Sequence, residues 1–205
     1  MNIVLASSSP RRRELLKKLG LDFSVVPSTV QEEKIKAKSA EEFVCKAARV
    51  KAQDVGKKTD GLVIAADTVV CQGEKILGKP RDSEQALEML EGLAGTTHQV
   101  LTGVAIFFPP SQKEVVDFES TLVQFRPAEK EELRGYVATK EPMDKAGAYA
   151  IQGLGAVFVS RIEGCYFNVV GLPLFRLYQM LTSFDVNIFS KEGRHGGKGR
   201  FGTDS

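Results

Sequence analysis

Two stretches of this chain put charged groups where folding alone would not. In Gly61 to Val70, G-L-V-I-A-A-D-T-V-V, Asp67 interrupts a run that otherwise reads as a buried strand. An unpaired buried carboxylate is costly. Asp67 must therefore be paired, metal-bound, or at a strand end facing a cleft, with a satisfied structural aspartate as the plain alternative. Thr68 either faces the other side of the strand or lines the same cleft if the strand breaks there. The second stretch is Ser7 to Arg13, S-S-S-P-R-R-R, with three arginines at the start of a helix. Cations in a first turn oppose the macrodipole at roughly 0.3–1 kcal/mol each. Free amides, the hydroxyls of Ser7 and Ser9, and guanidinium forks would together make a phosphate site. Successive helical residues lie about 100° apart, so Arg11, Arg12 and Arg13 cannot all reach one anion. A solvated basic cap beside Glu14 explains the same residues without a ligand.

The elements that must hold these groups follow from capping and periodicity. Ile3 to Ala6 is a short apolar run suited to a buried strand, and Ser9 then Pro10 open a helix whose stripe of Leu15, Leu16 and Leu19 ends at Gly20. Phe23 to Pro27 reads as a strand and Ser28 to Lys38 as a polar loop carrying Glu32 and Glu33. Ser39 with Glu42 predicts a capping box for a helix running to Gly56, on which Lys46, Arg49 and Lys51 read by spacing as surface. A turn at Gln72 to Glu74 leads to a short strand. The loop Gly78 to Asp82 carries Lys79 and Arg81, and Asp82 with Gln85 caps a structural helix. Val100 to Phe108 and Glu114 to Phe125 form a long hairpin, and Pro127 to Ala138 an amphipathic helix. Glu141 to Gly153 fits no period, and its small residues, with Lys145 and Gln152 among them, permit close backbone approach to a ligand, a plain loop being the commoner explanation of such a segment. Ala156 to Ile162 and Phe167 to Val170 read as strands, and Leu172-Pro173 opens the closing helix.

Strands alternating with helices at both ends, around a central hairpin, predict an α/β fold: a mixed sheet with helices on both faces. A domain of residues 1–189 is followed from Ser190 by a basic, Gly-rich tail, read as disordered, with a nucleic-acid arm as the lesser alternative. A net charge of +2 in 205 residues argues against a surface built for nucleic acid. No apolar run reaches bilayer length and no signal-peptide core is present, so a cytoplasmic protein is expected. Cys45, Cys71 and Cys165 read as reduced, part-buried thiols. With 2 histidines, a metal would sit on carboxylates and phosphate, which points to Mg²⁺ or Mn²⁺.

Four segments, S-S-S-P-R-R-R-E-L-L at 7–16, A-A-D-T-V-V at 65–70, G-K-P-R-D at 78–82 and E-P-M-D-K-A-G-A-Y-A-I-Q-G at 141–153, with N-V-V-G-L-P at 168–173 as a fifth, stand in an order and spacing that resembles the Maf family of nucleoside triphosphate pyrophosphatases. The likeness covers roughly residues 2 to 186, with Ala150 where the family more often has Gly. It implies an elongated, twisted mixed sheet and two lobes around a central cleft, similar to the inosine triphosphate pyrophosphatases. It also implies hydrolysis of a triphosphate to monophosphate and pyrophosphate with a divalent cation, and a homodimer. By resemblance Asp67 is the proton acceptor, and Arg11, Thr68 and Gln152 select the substrate as in the branch acting on dTTP and UTP. A sister branch acting on 7-methyl-GTP has tryptophan in the place of that arginine.

The chemistry expected on that basis is water attack on the α-phosphorus. Arg12, Arg13, Lys51, Lys79 and Lys145 are candidates to take the charge of departing pyrophosphate. An unperturbed aspartate near pKa ~3.9 is a poor base at neutral pH, which leaves Asp67 as base, as holder of a metal whose bound water ionises, or as both, with Glu33 the weaker candidate second ligand. Gln152 offers a donor and an acceptor to the imide edge of uracil or thymine. The competing expectations are a non-enzymatic regulator of cell division and septum formation, a nucleic-acid-binding protein, and a nucleotidyltransferase.

Overall fold

The computed structural model describes residues 1–189, and the tail expected from Ser190 lies outside the described residues. The first strand, β1 (Ile3–Leu5), is buried on both faces, as its unbroken apolar run requires. Helix α1 (Pro10–Lys18) starts where Ser9 accepts the Arg12 N–H at 3.4 Å, and the chain leaves it through Gly20 at φ +69°. After β2 (Phe23–Val25) and a 3-10 turn at Glu32–Lys34 comes α2 (Ala40–Gly56). Its cap differs slightly from a closed box: Ser39 accepts the Glu42 N–H, but the Glu42 carboxylate returns to the N–H of Lys38. Strand β3 (Leu62–Gln72) follows, then β4 (Lys75–Leu77), α3 (Ser83–Leu93) capped by Asp82, and the hairpin β5 (Thr97–Phe108) and β6 (Lys113–Phe125).

Three expectations change in the last third. The helix expected from Pro127 begins at Lys130, because a capping box between Glu129 and Glu132 sets its first turn: α4 (Lys130–Ala138). The strand expected from Ala156 is delayed by a 3-10 turn at Leu154–Phe158 and becomes β7 (Val159–Glu163). Phe167 to Val170, expected as a strand, is a short helix, α5 (Tyr166–Val170). Its β-branched residues favour a strand only weakly over so few positions. What decides is tertiary: Asn168 donates to Val100 O at 2.9 Å and Thr121 Oγ1 at 2.9 Å, fastening this turn flat on the sheet, and Gly171 ends it at φ +119°. The closing helix is α6 (Leu174–Thr182).

The 7-stranded sheet runs β2-β1-β3-β5-β6-β7, with β4 added to the free end of β3. β1 is parallel to both β2 and β3, and the remaining pairs are antiparallel. Right-handed crossovers that run in opposite directions across the sheet, from β1 to β2 through α1 and from β2 past β1 to β3 through α2, must use opposite faces. Accordingly Leu15 and Leu16 of α1 pack with Ile3, Leu5, Leu62 and Ile64, whereas Ala48, Ala52 and Val55 of α2 pack with Val4, Val63 and Ala65. A crevice is expected beside the carboxyl end of β1, where these connections part.

The face away from α2 carries two apolar cores. One gathers α1 and α6 over Ile64, Ala66, Val104 and Ile106; the other gathers α3 and α4 over Val70, Val100, Val123 and Phe125. Between them the alternating positions of β3 and β5 are Thr68 and Thr102, directly paired in register. That polar seam divides the molecule into two lobes. On the α2 face, Gly103 opposite Asp67 lets the helix backbone lie against the sheet, since a Cβ there would collide with the Val44 carbonyl. All three cysteines are free, and among the described residues no helix is long and apolar enough to cross a membrane.

His98 lies in the second core, edge-on to Phe125 and Tyr149, with Nε2 at 2.9 Å from the Tyr149 hydroxyl and Nδ1 without a partner. Burial lowers its pKa from 6.5 to about 4. The unfolded chain therefore binds the proton first, so this group's contribution is intact above pH 6.5 and is lost as pH falls toward 4, a span worth about 3 kcal/mol. Urea midpoints at pH 7 and pH 4.5 should fall further for the native chain than for His98→Gln; equal falls would show that His98 protonates without cost.

Candidate active site

Pairing of β1 with β3 stops at Leu5 and Ile64, with one more bond from Ala6 N to Ile64 O at 2.8 Å, and β4 joins β3 only from Val70. From Ala65 to Val69, β3 is paired through β5 and open on its other edge. Side chains from both faces of the strand can then reach one space. Asp67 points to the α2 side, as Val69 and Cys71 do, while Thr68 points to the seam, and both line a cleft of about 430 Å³. Thr68 takes the first of the two orientations left open by the sequence, facing away from Asp67, and it borders the same cleft although the strand does not break there.

Lys51 is the partner that makes Asp67 tolerable. It lies on α2 with 8% of its surface exposed, and its Nζ sits 2.5 Å from Asp67 Oδ1 while also contacting Glu32 Oε1. The helix spacing that suggested a surface lysine was misleading because α2 presses its whole inner face on the sheet. Burial raises the Asp67 carboxyl above its ordinary value, opposed by the charge of Lys51 and then pushed up by Glu32. For half-exposed Glu32, burial acts upward, but Lys51 with Lys79 and Arg12 brings it below the usual carboxylate range.

Arg12 is held from three sides. Its Nε donates to Gly171 O at 2.8 Å, one terminal nitrogen donates to Thr68 Oγ1 at 2.9 Å, and the other approaches Ser7 Oγ at 3.5 Å. Thr102 Oγ1 donates to Asn168 O at 3.1 Å, so the Thr68 hydroxyl, 2.9 Å away, donates to Thr102 and accepts from Arg12. The seam is thus a directed chain of hydroxyls ending in a buried backbone carbonyl. Burial lowers the Arg12 guanidinium from its ordinary value, against the pull of Asp67 and Glu32.

Ser7, Ser9, Arg11, Arg12, Lys51, Asp67, Thr68, Lys79, Lys145 and Gln152 all border the cleft. Two expected residues do not. Arg13 turns to a separate depression with Lys17 and Phe23, as the helical rotation between neighbours requires. Glu33 is exposed and off the cleft wall; in the tight 3-10 turn its neighbour Glu32 takes the inward position. Lys145 pairs with Asp144 at the rim. Gly147, read as room for a ligand, instead makes room for Val70, where a Cβ would lie 2.9 Å from Cγ1. Thr102, Asn168 and Glu32 were not singled out from sequence; the polar Asn168 inside an apolar V-V run was the available signal.

Among the described residues no cluster of three or more His, Cys, Asp and Glu side chains forms. Glu32 and Asp67 meet on the Lys51 ammonium at the cleft wall, and one or two carboxylates are the usual protein share for Mg²⁺ or Mn²⁺ when phosphate and water complete the shell. The donor set fits such an ion.

Fold and cleft together define a mixed α/β protein with a cation-lined crevice at the carboxyl end of a central parallel strand. The family described as Maf-like protein matches residues 2–184, and the chain belongs to it. It is 51% identical over 189 residues to a dTTP/UTP pyrophosphatase of Alkaliphilus oremlandii, covering 91% of this chain and 98% of that one. It is 50% identical over 185 residues to a dTTP/UTP pyrophosphatase of Carboxydothermus hydrogenoformans, covering 90% and 99%. A HAM1 protein from Coxiella burnetii shares the fold with a TM-score of 0.50 at 15% identity, over 89% of this chain and 99% of that one.

Removing Lys51 leaves two carboxylates facing each other, one of them buried. Lys51→Met is expected to lose roughly 3 kcal/mol of stability at pH 7 by urea unfolding, and the double variant Lys51→Met/Asp67→Asn to regain part of it. A double variant no more stable than the single one would show that the loss comes from packing rather than from uncompensated charge.

Proposed function

We propose that this chain hydrolyses dTTP and UTP to the nucleoside monophosphate and pyrophosphate. The observation that carries the reading is a single buried carboxylate, Asp67, in a cleft to which Arg12, Lys51, Lys79 and Lys145 come from four separate segments. A buried acid set among several cations is suited to in-line attack on a phosphoric anhydride, where the demand is for a positioned water and for neutralisation of a leaving polyanion. The relatives' substrates supply the choice of nucleotide.

In this reading a water oxygen bonds to the α-phosphorus, the α–β bridging P–O bond breaks, and its electron pair leaves on pyrophosphate. Asp67 orients that water and takes its proton; a carboxyl raised by burial is a stronger base than an exposed one. Lys51 holds Asp67 and Glu32 in place. When bound, a divalent cation on Asp67 and Glu32 supplies Lewis acidity and charge neutralisation at the phosphates. Arg12, pre-set by Thr68, Ser7 and Gly171, offers a fixed guanidinium edge to phosphate oxygens, with Ser7, Ser9, Lys79 and Lys145 around it. Arg11 and Gln152 face the nucleoside, Gln152 presenting both a donor and an acceptor to the pyrimidine imide. Thr68 contributes to selection through Arg12, because its hydroxyl is already committed at both ends.

Incubation with each common triphosphate and Mg²⁺ or Mn²⁺, with pyrophosphate assayed against orthophosphate, should give UMP or dTMP with pyrophosphate. Diphosphate with orthophosphate would overturn attack at the α-phosphorus. Asp67→Asn should lose turnover by at least about 10³-fold while nucleotide binding persists, and a near-native rate would remove Asp67 from the chemistry. Gln152→Ala and Arg11→Ala should each narrow the preference for pyrimidine over purine triphosphates, read as the ratio of kcat/KM values. An unmoved ranking in both would end the selection assignment.

A further inference from the structure

Gln152 is exposed at the cleft wall, and no hydrogen bond from its side chain to the described residues fixes it. Its position is therefore set by the backbone that carries it. That backbone is pinned on both sides of Gln152 by one pair of side chains, Tyr136 and Glu141. Tyr136, on α4, accepts the Ala150 N–H on its hydroxyl at 3.1 Å and donates to Glu141 Oε1 at 2.8 Å. Glu141 in turn accepts the Gly155 N–H on Oε1 at 3.1 Å and the Leu154 N–H on Oε2 at 3.0 Å. The carboxylate thus caps the first amides of the 3-10 turn that follows Gln152, while the phenol holds the residue two before it.

The glycines of the segment fit this arrangement. A Cβ at Gly153 would collide with the Glu141 carboxylate, and one at Gly155 would lie 2.6 Å from the Tyr136 hydroxyl. At Gly153 and Gly155 the segment is shaped around an internal carboxylate and its phenol partner, while Ala146, Ala150 and Gln152 line the cleft. Hydrogen bonds from backbone amides to a charged carboxylate are among the stronger ones, and a side chain whose place depends on them loses its geometry when they go.

Resting on the role given to Gln152 above, we propose that Glu141, oriented by Tyr136, is a positioning residue for nucleotide selection: it touches no substrate, and it sets where the Gln152 amide meets the base. The stretch from Glu141 to Gly155 is then one device, with its anchor at one end and its reading group near the other.

The test compares the native chain with Glu141→Ala, Glu141→Gln, Gln152→Ala and the double variant Glu141→Ala/Gln152→Ala. Steady-state kcat and KM are measured for UTP and GTP with Mg²⁺, alongside hydrogen exchange of the Leu154 and Gly155 amides. Glu141→Ala should lower the UTP-to-GTP ratio of kcat/KM roughly tenfold, mainly through KM for UTP, and speed exchange at both amides. Glu141→Gln, which keeps one acceptor, should fall between, and the double variant should lose no more selectivity than either single one. If Gln152→Ala lowers the ratio and Glu141→Ala does not, the positioning role is wrong. A Glu141→Ala variant that loses activity equally on both nucleotides has a structural role only, which also overturns it. A ratio unmoved by Gln152→Ala would instead remove Gln152 from selection, and this inference with it.

Discussion

A carboxylate in the middle of an otherwise apolar strand sets the terms for the rest of this molecule. Asp67 is 4% exposed, and its charge is matched by Lys51 from α2 at 2.5 Å, which brings Glu32 from a distant loop onto the same ammonium. For that contact to exist, α2 must lie hard against β3 and β5. Gly103, paired with Asp67 across the ladder, leaves out a Cβ that would meet the helix backbone at Val44. A buried ion pair of this kind adds little net stability over an apolar pair. Its value lies in keeping an acid in a fixed place inside a site, which an apolar pair cannot do.

The open edge of β3 is the second half of that arrangement. Because β1 ends at Leu5 and β4 starts only at Val70, the strand shows both faces to one cleft. Asp67 and Thr68 can therefore belong to one site although their side chains point opposite ways. On the Thr68 side the polar seam separates the two apolar cores and carries the hydroxyl chain that orients Arg12. Donors set in advance are not reorganised when charge develops on a ligand, which is where such fixed dipoles contribute most to a reaction. The same logic extends to the Glu141 anchor, where one carboxylate accepts two amides of the backbone that follows Gln152.

Much of the scaffold was legible in the chain because it is locally encoded. Ser9-Pro10 and Gly20 bracket α1, and Asp82 with Gln85 starts α3, since caps depend on neighbours within one turn. The hairpin of β5 and β6 also followed from its β-rich runs and the Pro109-Pro110 turn. The failures are where a distant partner decides. Phe167 to Val170 has strand residues but folds as α5 because Asn168 is fastened to β5 and β6. Lys51 has surface spacing but is drawn inward by Asp67, and Glu32 rather than Glu33 meets it because a 3-10 turn sends adjacent side chains in different directions.

The sequence by itself determined the alternation of strands and helices, the anomalous acid in β3, the cationic start of α1 and the ordered segments that mark the family. It did so because periodicity, capping and the cost of a buried charge act over short distances along the chain. Only the tertiary structure decided which arginines enter the cleft, which glutamate joins Asp67, how Thr68 shares a site with a residue on the opposite face, and what holds Gln152 in place. Each of those depends on a contact between segments far apart in sequence, where the register of a sheet or the seating of a helix shifts every side chain at once.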